Sequence, residues 1–385
     1  MSVELGQGTG PLRGIKVVEI AGIGPSPHAC MILADLGADV IRVERPGGSA
    51  LAVTPAHDFL NRGRPSVALN LKEPAAVGVV LQLVAQADIL VEGMRPGVTE
   101  RLGLGPKEAL AVNTRLVYGR MTGWGQEGPW SQAAGHDLNY VAMTGALFGL
   151  GQDPARPQFP SNLVGDFGGG STYLVIGLLA ALLEARISGH GQVVDAAIVD
   201  GTAHLNAMAS SMLAGGVLKE ERAANLLDGG VPYYDVYETS DGRHLSVGAL
   251  EPQFYAVLAR LLELPDDAPG QADVERYDEL RGLIAERIGS RTMREWASVF
   301  EGTDACVFPV LTLTEAADEP HLVARGVFVA PDGAVQPAPA PRFSRTGATL
   351  GTPPAPVGQQ TREALLAWGV PDVETLITSG VAVQA

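Results

Sequence analysis

His136, in Gly135-His136-Asp137-Leu138-Asn139-Tyr140, and Asp166, in Asn162-Leu163-Val164-Gly165-Asp166-Phe167-Gly168-Gly169-Gly170, are the side chains best placed to move protons. Each is titratable and lies among glycines, which let a ligand approach the main chain closely. An imidazole and a carboxylate acting on one substrate can serve as a pair of proton-transfer groups, one protonated and one not. Neither segment resembles a metal cage or a phosphate loop. The chemistry these residue types point to is acid–base work on a carbon acid.

Each residue also has a structural duty open to it. A lone histidine in apolar surroundings is structural about as often as it is functional. The polar neighbours Asp137, Asn139 and Tyr140 tilt His136 toward function. Asp166 precedes an apolar stretch and suits the N-cap of a helix, a position that stabilises a carboxylate and equally an enolate oxygen. Gly168 to Gly170 are expected to expose backbone amides there. Glu251, in Ala249-Leu250-Glu251-Pro252, ends a strand before a proline-started helix, where it could orient and charge His136. Arg45, Arg95 and Arg101 lie at or after strand ends, placed either to hold phosphate or simply to be solvated.

Behind these residues the first half alternates β-branched runs with helical stretches: strands at 15–20, 40–44, 89–91, 116–118 and 193–197, helices at 27–36, 75–85, 107–112 and 171–186. Near-continuous apolar strands separated by helices imply an α/β fold with a parallel sheet covered on both faces. A helix is expected over 201–218. A hairpin turning at Ser240-Asp241-Gly242-Arg243 follows, then helices over 252–262 and 277–300, the latter broken near Gly289; together they suggest a smaller α+β domain. The proline- and glycine-dense stretch 330–356 suits an extended return, and 361–368 a last helix.

With 385 residues and 46% hydrophobic content the chain can bury a large core, and its net charge of −16 argues against a nucleic-acid or anionic-membrane surface. Two distant cysteines, Cys30 and Cys306, exclude a disulfide scaffold and fit a reducing cytoplasm. Met1 to Gly10 has neither the basic nor the apolar region of a signal peptide, and the apolar run 173–183 reads as a buried helix rather than a membrane span. Gly22-Ile23-Gly24-Pro25, followed by Glu44 about twenty residues on, imitates a dinucleotide fingerprint, but the third glycine is missing and prolines occupy the turn. A nicotinamide dehydrogenase is therefore the weaker alternative.

Taken together, Gly22-Ile23-Gly24-Pro25, Asp88-Ile89-Leu90-Val91-Glu92-Gly93-Met94-Arg95-Pro96-Gly97, Met121-Thr122-Gly123-Trp124-Gly125-Gln126, Gly135-His136-Asp137, Val164 to Gly170, Leu227-Asp228-Gly229-Gly230 and Ala249 to Tyr255 resemble the family III CoA-transferase superfamily, in its alpha-methylacyl-CoA racemase branch. The resemblance spans nearly the whole chain. It implies an interlocked homodimer with a large Rossmann-like domain from 1–200 and 321–385, a linker helix over 201–228 and a small domain over 229–320. It also implies an acyl-CoA thioester substrate, no cofactor beyond that CoA, no metal, and catalysis by His136 and Asp166 with Glu251 reaching His136 across subunits.

Matching positions in such racemases contact CoA: Arg45, Leu69, Asn70, Leu71, Lys72, Gly93, Met94, Arg95 and Arg101, with Gly135, Asp137, Leu138, Asn139 and Tyr140. Asn162 and Tyr234 match supporting positions. Two departures stand out. Only Met208 and Met212 mark the helix where racemases carry more methionine, and Gln359-Gln360-Thr361 replaces a His-Thr pair of many transferases. The same resemblance admits a CoA-transferase, in which Asp166 forms an acyl anhydride.

Overall fold

A computed structural model describes residues 3–48 and 54–385; Met1 and Ser2 of the N-terminal segment lie outside it. The chain divides into two compact units, one of Met1–Thr144, Pro160–Leu205 and Gly326–Ala385, the other of Gly145–Phe159 and Asn206–Arg325.

The first unit is built on Lys16–Ile20 (β1), Pro25–Asp35 (α1), Asp39–Glu44 (β2), Ser66–Leu69 (β3), Pro74–Val84 (α2), Ile89–Glu92 (β4), Val98–Leu102 (α3), Pro106–Val112 (α4), Val117–Thr122 (β5), Asp137–Met143 (α5), Tyr173–Ser188 (α6), Gln192–Ala197 (β6) and Ile198–Leu205 (α7). Its strands pair in parallel in the order β3-β2-β1-β4-β5-β6. Val17, Val18, Val40, Ile41, Ile89 and Leu90 are buried on alternating faces, which is why these strands read as continuous apolar runs. One face packs under α2, the other under α1 and α6. Strand order reverses at β1 and β4, and the crevice beyond the C-terminal ends of such strands is where open α/β sheets bind ligands.

The second unit begins with Ala207–Ala214 (α8) and continues through Tyr234–Glu238 (β7), His244–Gly248 (β8), Pro252–Leu261 (α9), Tyr277–Ile288 (α10), Met293–Phe300 (α11), Val307–Pro309 (β9), Leu313–Asp318 (α12) and Pro320–Arg325 (α13). Its strands form an antiparallel sheet, β7-β8-β9. The hairpin turns at the Asp-Gly pair, with Gly242 at φ +72°. Leu245, Leu258, Leu280, Ile284 and Trp296 form the core between sheet and helices. The chain then returns to the first unit as Phe328–Val329 (β10), Gln336–Pro337 (β11), Thr361–Ala367 (α14), Val373–Thr378 (α15) and Ala382–Val383 (β12), the last antiparallel to β3 at the sheet edge. Trp368, 1% exposed, closes the core on the α2 face.

Several elements depart from the sequence reading. Strands β3, β9 and β12 were not anticipated, being two to four residues long and too short to show a period. The helix expected over 201–218 is two helices, α7 and α8, broken at Asn206. The helical run leading into α6 begins at Leu163, and from Leu163 to Thr172 its hydrogen bonds reach five residues back. Asp166 therefore sits inside a helix rather than capping one. The amides of Gly168 to Gly170, expected to be exposed, belong to that helix's own ladder. The wide turn packs against α7 at glycines: a Cβ on Gly169 would lie 2.5 Å from the Thr202 nitrogen. The combined run Leu163–Ser188 is long and apolar enough to cross a bilayer. One face of α6 lies on the sheet through Leu174 and Leu178, while Ile176, Leu183 and Ile187 remain exposed, so this helix is only half-buried.

Beneath the ligand edge is a network of buried charge. The Glu19 carboxylate accepts from Arg42 Nη1 and Arg64 Nη1, both at 2.6 Å, and is fully buried. Arg62 pairs with Asp35 on α1 at 2.5 Å and donates to Gln336 and Pro337 of the return segment at 3.0 and 2.8 Å. Breaking a buried pair costs more than the pair contributes, because a charge is left without a partner. Glu19→Gln, which strands two arginines, is expected to lower unfolding free energy by about 3–5 kcal/mol in urea titrations. A loss under about 1 kcal/mol would contradict this account of the network.

Candidate active site

A pocket of about 420 Å³ opens at the reversal point of the sheet. The Ile23-Gly24 loop after β1, Gly93 to Pro96 after β4 and Met121 to Trp124 at the end of β5 form its floor and sides, and His136, Tyr140 and Asp166 face into it. Gly24 starts α1 at φ +65°, and the Asp166 carboxylate lies against it: a Cβ there would be 3.0 Å from Oδ2. Tyr140, 9% exposed, covers Gly123, meets Trp124 edge-on at 4.8 Å and donates its hydroxyl to the Gly135 carbonyl. That bond anchors the residue before His136.

His136 is the N-cap of α5. Its N–H donates to Asn139 Oδ1 at 3.1 Å and its carbonyl accepts from the Asn139 amide at 2.8 Å, so Asn139 holds the backbone while the imidazole stays exposed. Asp166 is half-buried. Its Oδ2 accepts from Asn162 Nδ2 at 3.4 Å, and its main-chain N–H donates to the buried Asp137 Oδ1 at 2.6 Å. Burial pushes the Asp166 carboxyl above its ordinary range, and the Asp137 charge adds to this; the Asn162 bond and the His136 imidazole pull the other way. His136 and Asp166 thus border one space and feel each other's charge. One can donate a proton there while the other accepts.

The structure gathers Gly93, Met94, Arg95, Gly135 and Tyr140 into this pocket with the two acid/base candidates. Arg45 follows β2 and donates Nε to Gly48 at 2.8 Å; Asn70, Leu71 and Lys72 follow β3; Arg101 lies in α3. These stand along the same C-terminal edge but outside the pocket. Among the described residues Arg45, Lys72, Arg95 and Arg101 have no carboxylate within 4.0 Å, unlike the arginines beneath the sheet. Leu69 is fully buried in the core, so its side chain cannot line a ligand site. Asp137 is buried with its Oδ1 on the Asp166 amide, while Leu138 is 40% exposed on α5.

Glu251 and Tyr234 belong to the second unit. Glu251 is the exposed N-cap of α9; its carbonyl accepts from Phe254 and Tyr255 at 3.0 Å and its carboxylate caps nothing. Tyr234 begins β7 opposite Gly248. Met208 and Met212 lie on α8 of the same unit. Among the described residues no three His, Cys, Asp or Glu side chains converge as metal ligands.

His28 escaped the sequence reading. Its ring stacks on Phe167 at 4.3 Å and Nδ1 bonds Ser171 Oγ at 2.6 Å, across the wide turn that carries Asp166. Burial, with Arg62 and Arg64 behind it, lowers His28 to about 4, so it stays neutral. Nothing local in the sequence joins residue 28 to residue 171. The dinucleotide alternative loses ground here: Glu44, which would hold a ribose, is engaged by Ser66 Oγ and Arg42, and Pro25 and Pro27 remove amides a pyrophosphate would need.

The chain is 42% identical to alpha-methylacyl-CoA racemase of Mus musculus over 369 residues, 95% of each chain. It is 40% identical to alpha-methylacyl-CoA racemase of Homo sapiens over 361 residues, 93% of each. Among solved structures it superposes on a CAIB/BAIF family protein from Brucella suis with a TM-score of 0.81 at 28% identity, covering 94% of this chain and all of that one. The family model described as CoA-transferase family III matches residues 12–361. With its parallel sheet, its pocket at the sheet reversal and these relatives in agreement, the chain belongs to CoA-transferase family III.

Proposed function

We propose that this protein interconverts the (2R) and (2S) forms of 2-methylacyl-CoA thioesters by 1,1-proton transfer, with His136 and Asp166 as the two acid/base groups. The observation that carries this is a single pocket holding an imidazole and a half-buried, upward-shifted carboxylate within each other's field. The relatives named as racemases support it.

A thioester acidifies its α-carbon, though not enough for an unassisted base at neutral pH. Inversion needs the proton removed from one face and another returned to the opposite face. For the (2S) substrate neutral His136 takes the α-proton, a planar enolate forms, and protonated Asp166 returns a proton to the other face. For the (2R) substrate ionised Asp166 is the base and the imidazolium is the acid. Total protonation is the same in both directions, so the enzyme needs no external acid between turnovers. A carboxyl raised by burial shares its proton with an imidazole more evenly than an ordinary one. Donors for the enolate oxygen cannot be Gly168 to Gly170. Gly24 and Ser26 line the pocket on either side of Pro25 and carry the N–H groups available instead, and one well-aimed donor is worth roughly 3 kcal/mol.

Arg45, Lys72, Arg95 and Arg101 would bind the phosphates of CoA, with Asn70, Leu71, Gly93, Met94 and the Gly135 to Tyr140 segment along its length. No cofactor or metal is required beyond that substrate, and the setting is the cytoplasm. The apolar stripe of Ile176, Leu183 and Ile187, exposed at 56%, 63% and 79%, supports a self-association face, and the homodimer it would form is taken to interlock large and small domains. In that arrangement Glu251 of one copy would meet His136 of the other. Ile187→Asp is expected to shift sedimentation from dimer toward monomer; an unchanged dimer would remove this stripe from the interface.

The family is named for CoA-transferases, and on that alternative Asp166 would attack the acyl carbonyl to form an anhydride. Incubating one enantiomer of a 2-methylacyl-CoA with the protein in D2O separates the two. Deuterium at the α-position with loss of optical purity is expected. CoA passing to an added carboxylate without α-exchange would establish the transferase instead.

A further inference from the structure

We propose that Asp137 is the positioning residue for Asp166: its buried carboxylate pins the main chain that carries Asp166 and sets a second negative charge beside it. The inference rests on the racemase reading and gives Asp137 a task other than contact with CoA. Three observations carry it. Asp137 is only 9% exposed although it lies one residue from the exposed His136. Its Oδ1 accepts the Asp166 N–H at 2.6 Å, a short charge-assisted bond made across 29 residues of sequence. Gly165 lies directly against that oxygen, and a Cβ there would fall inside van der Waals contact with it. Only a glycine before Asp166 lets the carboxylate reach the amide.

Position and proton affinity are then set by one group. The Asp166 side chain has no cation partner among the described residues, only Asn162 Nδ2 at 3.4 Å. The Asp137 charge adds to burial in raising the Asp166 carboxyl, against the Asn162 bond and the His136 imidazole. The remaining charged or titratable groups on neighbouring elements are engaged or distant in role. On α5, Tyr140 is bonded to Gly135. On α1, His28 is bonded to Ser171. Tyr173 of α6 and His204 of α7 are bonded to each other at 2.6 Å, and Asp200 also lies on α7. Arg120 of β5 is held by Glu92 and Glu100, and Asp195 of β6 by the Gln126 amide. Arg95 lines the same pocket and faces Tyr140.

The sign follows. A neighbouring negative charge disfavours ionised Asp166, so removing it lowers the pH at which Asp166 becomes a base. The test is the pH profile of α-proton exchange from (2R)-2-methyldecanoyl-CoA in D2O for the full-length wild type, Asp137→Asn, Asp137→Ala and Gly165→Ala. It is paired with a 13C NMR titration of the Asp166 carboxyl. Asp137→Asn keeps an oxygen for the amide and loses the charge. It is expected to move both the acid limb of kcat/KM and the NMR midpoint down by roughly 1 pH unit. Asp137→Ala and Gly165→Ala are expected to lower kcat by about 10-fold or more with KM nearly unchanged, Asn recovering part of the Ala loss.

An unmoved limb and midpoint in Asp137→Asn would overturn the inference. So would an Ala loss expressed in KM alone, which would return Asp137 to substrate binding. Should the Ala or Gly165 variants fail to fold, Asp137→Asn decides. An NMR midpoint moved by Asp137→Asn, in a protein whose wild type exchanges no α-proton, would sustain the Asp137–Asp166 coupling and sink the racemase reading.

Discussion

Between Leu163 and Thr172 the chain hydrogen-bonds five residues back instead of four, and that wider coil lets three other elements approach it at glycines. Gly165 admits the Asp137 carboxylate from α5, Gly169 admits the main chain of α7, and Gly170 packs on Pro25 and Ile198. Wide turns of this kind are costly in isolation and concentrate at functional sites. Here the surrounding contacts over-determine the turn, and Asp166 is carried on it to the one place where the strand order reverses. The segment that looks loosest in the sequence is therefore the most constrained backbone in the site.

The treatment of charge in the first unit supports the same view. Glu19 holds two arginines, Asp35 holds Arg62, and Glu92 holds Arg120 at 2.8 Å. These buried carboxylates are satisfied, and they brace the strand ends and the return segment. Asp137 and Asp166 differ: among the described residues neither is paired with a cation, Asp137 is held by the Asp166 N–H, and Asp166 is half-buried beside the Asp137 charge. A carboxyl short of partners in a cleft, in a unit whose other strand-end acids hold arginines, is the kind of group the proposed proton transfer needs. Burial of this acid opposes folding when it is ionised, a local cost that the packed sheet beneath can absorb.

Much of this was legible before any coordinates. The apolar strands and the helices between them follow from periodicity, and the hairpin from its Asp-Gly turn. His136 and Asp166 stand out because polar, titratable residues are rare in such glycine-rich, apolar surroundings. Illegible parts share one cause, long-range contact. Asp166 looked like an N-cap because the wide turn depends on Asp137 and α7 rather than on local propensity. Strand β3 is recognisable only by its pairing with β2 and β12. The Arg62 to Gln336 contact spans 274 residues, and His28 reaches Ser171 over 143. Leu69, assigned to ligand contact by resemblance, is committed to the core by its strand register.

The proposed chemistry requires two proton-transfer groups on opposite sides of one carbon, a demand that the shared pocket of His136 and Asp166 allows. That claim has a stereochemical signature which overall rates cannot supply. The direct measurement is α-proton exchange in D2O, followed by NMR, for each pure enantiomer of a 2-methylacyl-CoA with His136→Ala and with Asp166→Asn. Each variant is expected to stop racemising yet to exchange one enantiomer only, the (2R) form with His136→Ala and the (2S) form with Asp166→Asn. Loss of exchange for neither enantiomer, or racemisation surviving in either variant, would contradict the two-base account.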